Sequence, residues 1–310
     1  RRPDGYVGKP PELGTSVFGM AYGTGTDPTF APGFPVDFTF FRRPGTAENW
    51  ATSARLIQGK YLHLNQAVAE NNDSNIVFDY NNGFHDASGY STYLSWSFKR
   101  HAGFDVVTYK GNGSSTGDTQ SIPHGLNQIP EMAWIKKRSA SDDWIVYNKD
   151  LHSSIPEKYY LELNDTTART YQDQIFDIPT STHFNLRHTS TVNQNNHDFI
   201  MILFSSVSGI SKVGSYTGNG SNSGAHVTVG FTPRFLWVRR TDAAGSWYVV
   251  DTLRGLSSST ANDDTLYFNQ DVAQTTGQNW VQTSNTGFSP LVNWSGVNGS
   301  GGNYIYYAHA

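Results

Sequence analysis

Two acidic pairs, Asp142-Asp143 and Asp263-Asp264, have the most direct capacity for chemistry in this chain. Two carboxylates facing each other across a cleft can hydrolyse a glycosidic bond. Neighbouring residues in a polar loop point in different directions, so neither pair makes that arrangement by itself. A polysaccharide depolymerase could still complete one across a subunit interface. His183, His188 and His197 lie close in sequence, and His183 with His197 could share a metal. No third ligand stands at ligand-like spacing, so they read as loop histidines and no metal is expected. The turns Gly111-Asn112-Gly113-Ser114 and Gly218-Asn219-Gly220-Ser221 lack the Lys and the helix of a phosphate cradle. They read as tight turns, because Asn and Gly tolerate positive φ. Cysteine is absent, which removes thiol nucleophiles, Cys-ligated metals and disulfides. No catalytic residue and no cofactor is therefore expected. The candidate for surface recognition is Trp294, an indole among Asn and Ser in the loop Leu291 to Gly296. Such a ring stacks on a sugar, packs on a partner, or folds over the edge of its own domain.

The elements that must position these residues repeat. Tyr109-Lys110-Gly111-Asn112-Gly113 returns as Tyr216-Thr217-Gly218-Asn219-Gly220, and Pro130 to Lys137 returns as Pro233 to Arg240. Trp144 and Trp247 follow those prolines at the same distance, and Tyr160 to Asn164 answers Thr265 to Asn269. A shared offset of about a hundred residues is a tandem repeat. A more diverged copy lies in front, with Pro35, then Phe38, Phe40 and Phe41, then Trp50 and Tyr61 to Asn65. Counted from Pro35, its Thr39 falls where the others have Trp134 and Trp237. Each copy closes on an apolar stretch: Tyr93 to Phe98, Phe199 to Phe204, Tyr304 to Tyr307. The last gives its unit an apolar edge that a neighbouring copy could cover. The boundaries read as 1–102 for an N-terminal arm plus the first repeat, 103–207 for the second and 208–310 for the third.

Short period-2 runs separated by turn signals predict strands near 104–109, 131–137, 144–148, 159–163, 174–177, 183–187 and 198–204 in the second copy. Only Gln66 to Asn71 and Thr166 to Tyr171 suggest a helical turn. The expected fold is all-β, with three tandem antiparallel β-sandwich repeats of jelly-roll or lectin-like type. Trp144 and Trp247 are expected in the core. The arm, with Pro3, Pro10 and Pro11, suits an extended tether.

Composition agrees: 14% aromatic, 15% charged, net charge −4. Arg42-Arg43, Lys136-Lys137-Arg138 and Arg239-Arg240 occupy one repeat position and read as solvated strand ends. Without a sustained basic run, nucleic-acid binding has no electrostatic footing. No apolar run reaches the roughly 18–20 residues of a membrane helix, so no membrane partner is expected. Absent cysteine favours assembly in a reducing cytosol. The chain opens on Arg1, which suggests a processed product or the ordered part of something longer.

Gly111-Asn112-Gly113, Trp134-Ile135-Lys136 with Trp237-Val238-Arg239, Gly245-Ser246-Trp247 through Arg254-Gly255, and the ending Asn298 to Tyr306 together carry a resemblance. They resemble a repeated domain in virion structural and tail-fibre-like proteins of marine tailed bacteriophages, especially those of cyanobacteria. The likeness covers most of 103–310 and, more weakly, 17–102. It implies a virion protein assembled in the host cytoplasm, a homo-oligomer meeting other virion proteins and its own copies. A tail-fibre or appendage role in host attachment would make a host-surface glycan its target. The alternatives are a capsid-decorating or tail-connecting protein with no receptor role, or a depolymerase.

Overall fold

The computed structural model describes residues 13–87, 90–113, 115–259 and 263–310. The arm expected over the first fifteen residues lies mostly outside them; Gly14–Ser16 within it is a 3-10 turn.

The described chain is all-β, and its named strand pairs are all antiparallel. Three large sheets share one strand order. In the first, Phe18–Tyr22 pairs with Leu94–Phe98, which pairs with Phe38–Arg42, then Ala51–Ala54, Lys60–His63 and Asn71–Asn72. The second runs Phe104–Lys110, Asp198–Phe204, Met132–Lys137, Ile145–Asn148, Tyr159–Glu162 and Thr170–Tyr171. The third runs Ser211–Thr217, Asn303–His309, Phe235–Arg240, Trp247–Asp251 and Leu266–Tyr267.

One face of all three sheets meets in a single core. Phe38, Phe40, Trp50 and Trp96 of the first sheet lie there with Trp134, Trp144 and Phe204 of the second, and with Phe235, Trp237, Trp247 and Tyr307 of the third. The rings of Trp134 and Trp237 stand 6.3 Å apart, and Phe40 lies 5.3 Å from Phe268. The opposite faces are covered separately. In the second sheet the cover is a small sheet of Phe176–Asp177, His183–Leu186 and Gln120–Pro123; in the third it is Val227–Thr228, Gly287–Pro290 and Val281–Ser284. The first sheet is covered by loops joined at the bridges Phe30 with Phe84 and Val77 with His85, around Phe30, Phe34, Phe78 and Phe84.

Four expectations change. The residue matching Trp134 and Trp237 is Phe40, since Phe40 pairs with Trp96 as Trp134 pairs with Ile202 and Trp237 with Tyr307. Val36, and not Pro35, occupies the place of Pro130 and Pro233, and a slip of one residue moves a strand residue to the opposite face. The closing strand holding Tyr304 to Tyr307 is not an edge. It lies between Ser211–Thr217 and Phe235–Arg240, with all four residues at most 2% exposed. The strand Gln120–Pro123 adds to those read in the second copy. The helical turns fall at Arg55–Ile57, Pro156–Lys158, Thr252–Arg254 and Ser190–Asn193, away from 66–71 and 166–171.

Candidate functional site

The repeated residues form a site of their own at each junction between repeats. Trp50, Trp144 and Trp247 are fully buried, and an indole N–H in a core needs an acceptor. Each finds it on a strand of the preceding repeat, Lys60–His63, Tyr159–Glu162 or Leu266–Tyr267, in a closed cycle. Trp144 Nε1 donates to the His63 carbonyl at 2.8 Å and Trp247 Nε1 to the Glu162 carbonyl at 3.0 Å. Trp50 Nε1 closes the ring on the Tyr267 carbonyl at 2.8 Å. Within its own repeat, each Trp backbone N–H donates to the Oδ1 of Asn65, Asn164 or Asn269 at 2.8–3.1 Å.

One residue of each basic group belongs to the same junctions, and for Arg42, Lys136 and Arg239 the reading as solvated strand ends is corrected; the Arg43 side chain stays 41% exposed. Arg42, Lys136 and Arg239 are fully buried. Arg42 donates through Nη1 to the Gln270 carbonyl at 3.2 Å and through Nη2 to those of Asp271 and Val272 at 3.2 and 2.7 Å. Lys136 Nζ reaches the carbonyls of Ala67 and Asp142 at 3.1 and 2.7 Å, and Arg239 Nη2 that of Thr167 at 2.6 Å. The two guanidinium groups also lie 5.1 and 5.6 Å from the ring centres of Trp50 and Trp247, at cation–π range. Burial lowers Arg42 and Arg239 to about 10 and Lys136 to about 8. At neutral pH all three stay charged; loop carbonyls take up part of their donors, while Arg42 Nε and Arg239 Nε and Nη1 are buried without a partner. Backbone bonds seal each junction: Glu70 N to Arg138 O, Arg169 N to Thr241 O, and Gln274 N to Pro44 O, at 2.7–2.9 Å.

The acidic pairs serve structure. Asp142 binds the Lys137 ammonium, and its backbone N–H donates to the Ala67 carbonyl. Asp143 accepts from Asn164 Nδ2 at 2.7 Å. Asp263 is 1% exposed, and its Oδ2 accepts the backbone N–H groups of Trp280 and Val281 at 3.1 and 3.0 Å. Burial raises its carboxyl to about 6. Asp264 accepts from Gln274 Nε2 at 2.8 Å.

The histidines are likewise separate: His183 Nδ1 meets Thr182, and His197 Nδ1 meets Ser139 at 3.0 Å. Among the described residues no three His, Asp or Glu side chains converge on one point. No helix of the described residues is long and apolar enough to cross a membrane.

Trp294 remains 40% exposed. Its carbonyl accepts from the backbone N–H groups of Val297 and Asn298, as the Thr189 carbonyl accepts from those of Val192 and Asn193. The turn is therefore common to both repeats, and the indole is an addition to it.

Sequence reasoning missed a pocket of about 250 Å³ on the outer face of the first sheet. Its lining includes Phe41, Tyr61, Tyr90 and Tyr93 as rings, and Glu48 and Asp86 as carboxyls. Tyr93 donates its hydroxyl to Glu48 at 3.2 Å, and the rings of Tyr90 and Tyr93 stand 4.4 Å apart. Asp86 is 2% exposed, and burial raises its carboxyl above the usual range. The signal in the sequence is Ala51 after Trp50, where Ile145 and Tyr248 follow the matching Trp144 and Trp247.

No curated protein and no solved structure matches the chain. A family model does match residues 90–310, which takes in the whole second and third sheets. The chain therefore belongs to the family described as a domain of unknown function, DUF7483.

Proposed function

We propose that this chain is a non-catalytic structural protein of a bacteriophage virion, an appendage component that attaches the particle to a host-surface glycan. In this reading its three tandem β-sandwich repeats, jelly-roll or lectin-like in layout, hold recognition loops in a fixed frame. The observation that carries it is the closed cycle of junctions. The repeated Trp, Asn and cationic residues are engaged in holding one repeat to the next, so recognition falls to surface that the repeats do not share. Trp294 and the tyrosine pocket are such places. The virion setting and the homo-oligomer are supported by the sequence resemblance alone.

The test takes the intact chain and measures its mass in solution, its binding to cyanobacterial cells, and release of reducing sugar from their envelope polysaccharide. An oligomer that binds cells and releases no sugar is expected. Several weak sites presented together can raise avidity by about 10²–10⁴. A monomer that liberates oligosaccharide with turnover would overturn the reading.

A further inference from the structure

The first repeat differs from the others in what fills its outer face. Its third strand carries Ala51 opposite Phe41, where the second sheet pairs Ile145 with Ile135 and the third pairs Tyr248 with Val238. Ile145 is 1% exposed beneath its covering sheet, and Tyr248 packs on Trp280 at 5.7 Å. An alanine at that position leaves unfilled the volume that Ile or Tyr occupies elsewhere. The outer cover of the first repeat consists of loops and not a paired sheet, so the space opens to solvent. The result is the 250 Å³ pocket, with room for one small ring and not for a chain of them.

We propose that this pocket binds a single pyranose unit of a glycan. Its walls and polar groups suit a polyol ring. Tyr61, Tyr90, Tyr93 and Phe41 offer aromatic surface for the C–H face of a sugar. Hydroxyl groups need fixed partners of both kinds, and the pocket supplies carboxylate acceptors already held in place. Glu48 is fixed by Arg43 at 2.9 Å and by the Tyr93 hydroxyl. Asp86 is anchored by the backbone N–H of Ala87 at 2.7 Å. His63 also lines the pocket, and its Nδ1 has no hydrogen-bond partner.

The charge of Glu48 is balanced by Arg43, and burial keeps His63 neutral. Asp73 and Asp86 keep the lining acidic, so a cation is the competing occupant, and the aromatic walls with fixed acceptors are what favour a polyol ring. Asp73 is a third carboxylate in the lining, and its Oδ1 already accepts from the backbone and side chain of Asn75 at 3.0 Å. The inference deepens the attachment reading and rests on it for the source of the glycan.

The test uses the intact chain with a panel of methyl glycosides of common hexoses and N-acetylhexosamines, read by saturation-transfer NMR and titration calorimetry. Tetramethylammonium serves as a cationic probe. Transfer to at least one glycoside is expected. Ala51→Ile, which copies the second repeat and so suits the fold, is expected to weaken that binding by at least about tenfold. Asp86→Asn provides a second variant that keeps the volume and changes the acceptor. Ile178→Ala, at an exposed position of the second repeat, should leave pocket binding unchanged. Three results would each overturn the proposal: no glycoside binds, only tetramethylammonium binds, or Ala51→Ile binds as the parent does. Binding of both variants to whole cells separates the two claims. Cell binding that survives Ala51→Ile unchanged counts against the pocket and leaves attachment standing. Glycoside binding without cell binding counts against attachment alone.

Discussion

A buried indole is held by its area and by its N–H, and this chain separates the two. Trp144 and Trp247 donate to carbonyls of the preceding repeat, whereas the Nε1 atoms of Trp134 and Trp237 have no acceptor. The first repeat places Phe40 at the latter position, as expected where ring area matters and the N–H does not. Trp144→Phe should therefore cost about 0.5–1.5 kcal/mol more than Trp134→Phe, because it removes the bond to the His63 carbonyl and leaves that oxygen only the Gln66 backbone N–H at 3.5 Å. Urea unfolding of the two variants checks the difference, and equal losses would remove the junction bond from the account.

His309 gives a second residue-level test. It fills the place of Phe98 and Phe204, and burial lowers its imidazole to about 3. Unfolded, it titrates near 6.5, so between those values only the unfolded chain takes up the proton. Stability from this group is complete above about pH 6.5 and declines as the pH falls towards 3. His309→Phe should move the acid unfolding midpoint to lower pH, and an unchanged midpoint would contradict the burial argument.

At the scale of elements, the strands of the second repeat were legible because alternating apolar residues and turn signals set their limits. The register of the first repeat was not, because Pro35 mimics Pro130 one residue early and only the pairing of Phe40 with Trp96 fixes the face. The cationic strand ends misled for a different reason. Arg and Lys are usually solvated, and nothing local in the sequence shows that a loop of another repeat will lie across them. For the pocket, the small Ala51 after Trp50 was legible, but not that the covering loops leave the space above it open. Arg42 is the most heavily engaged of the three cations. Arg42→Met keeps much of the length and removes the donors to Gln270, Asp271 and Val272. The loss should be about 1–3 kcal/mol in all, because the bonds are part-buried and the exposed Asp271 and Val272 can turn their carbonyls to water. Thermal melts of the variant check this, and a stability equal to the parent's would restore the solvated reading.

At the scale of the whole molecule, the tandem offset in the sequence does not say that the three large sheets share one core. Contacts such as Trp134 with Trp237 and Trp50 with Phe268 join residues far apart in sequence, which no local pattern encodes. The cycle also closes from the third repeat back to the first, through Trp50 on Tyr267 and Gln274 on Pro44. Trp96 of the first sheet donates to Asp251 of the third at 2.9 Å, and Arg254 lies over the same indole. A repeat removed from this ring would expose the aromatic face it shares with both neighbours. Independent sandwiches on a string would instead unfold one at a time. Scanning calorimetry of the intact chain, with hydrogen exchange followed in all three sheets, tests this most directly. One calorimetric transition is expected, with coincident loss of protection in the three sheets and a Trp247→Ala variant that shifts all of it by about 3–5 kcal/mol. Separate transitions, with Trp247→Ala lowering only the one that belongs to the third sheet, would contradict it.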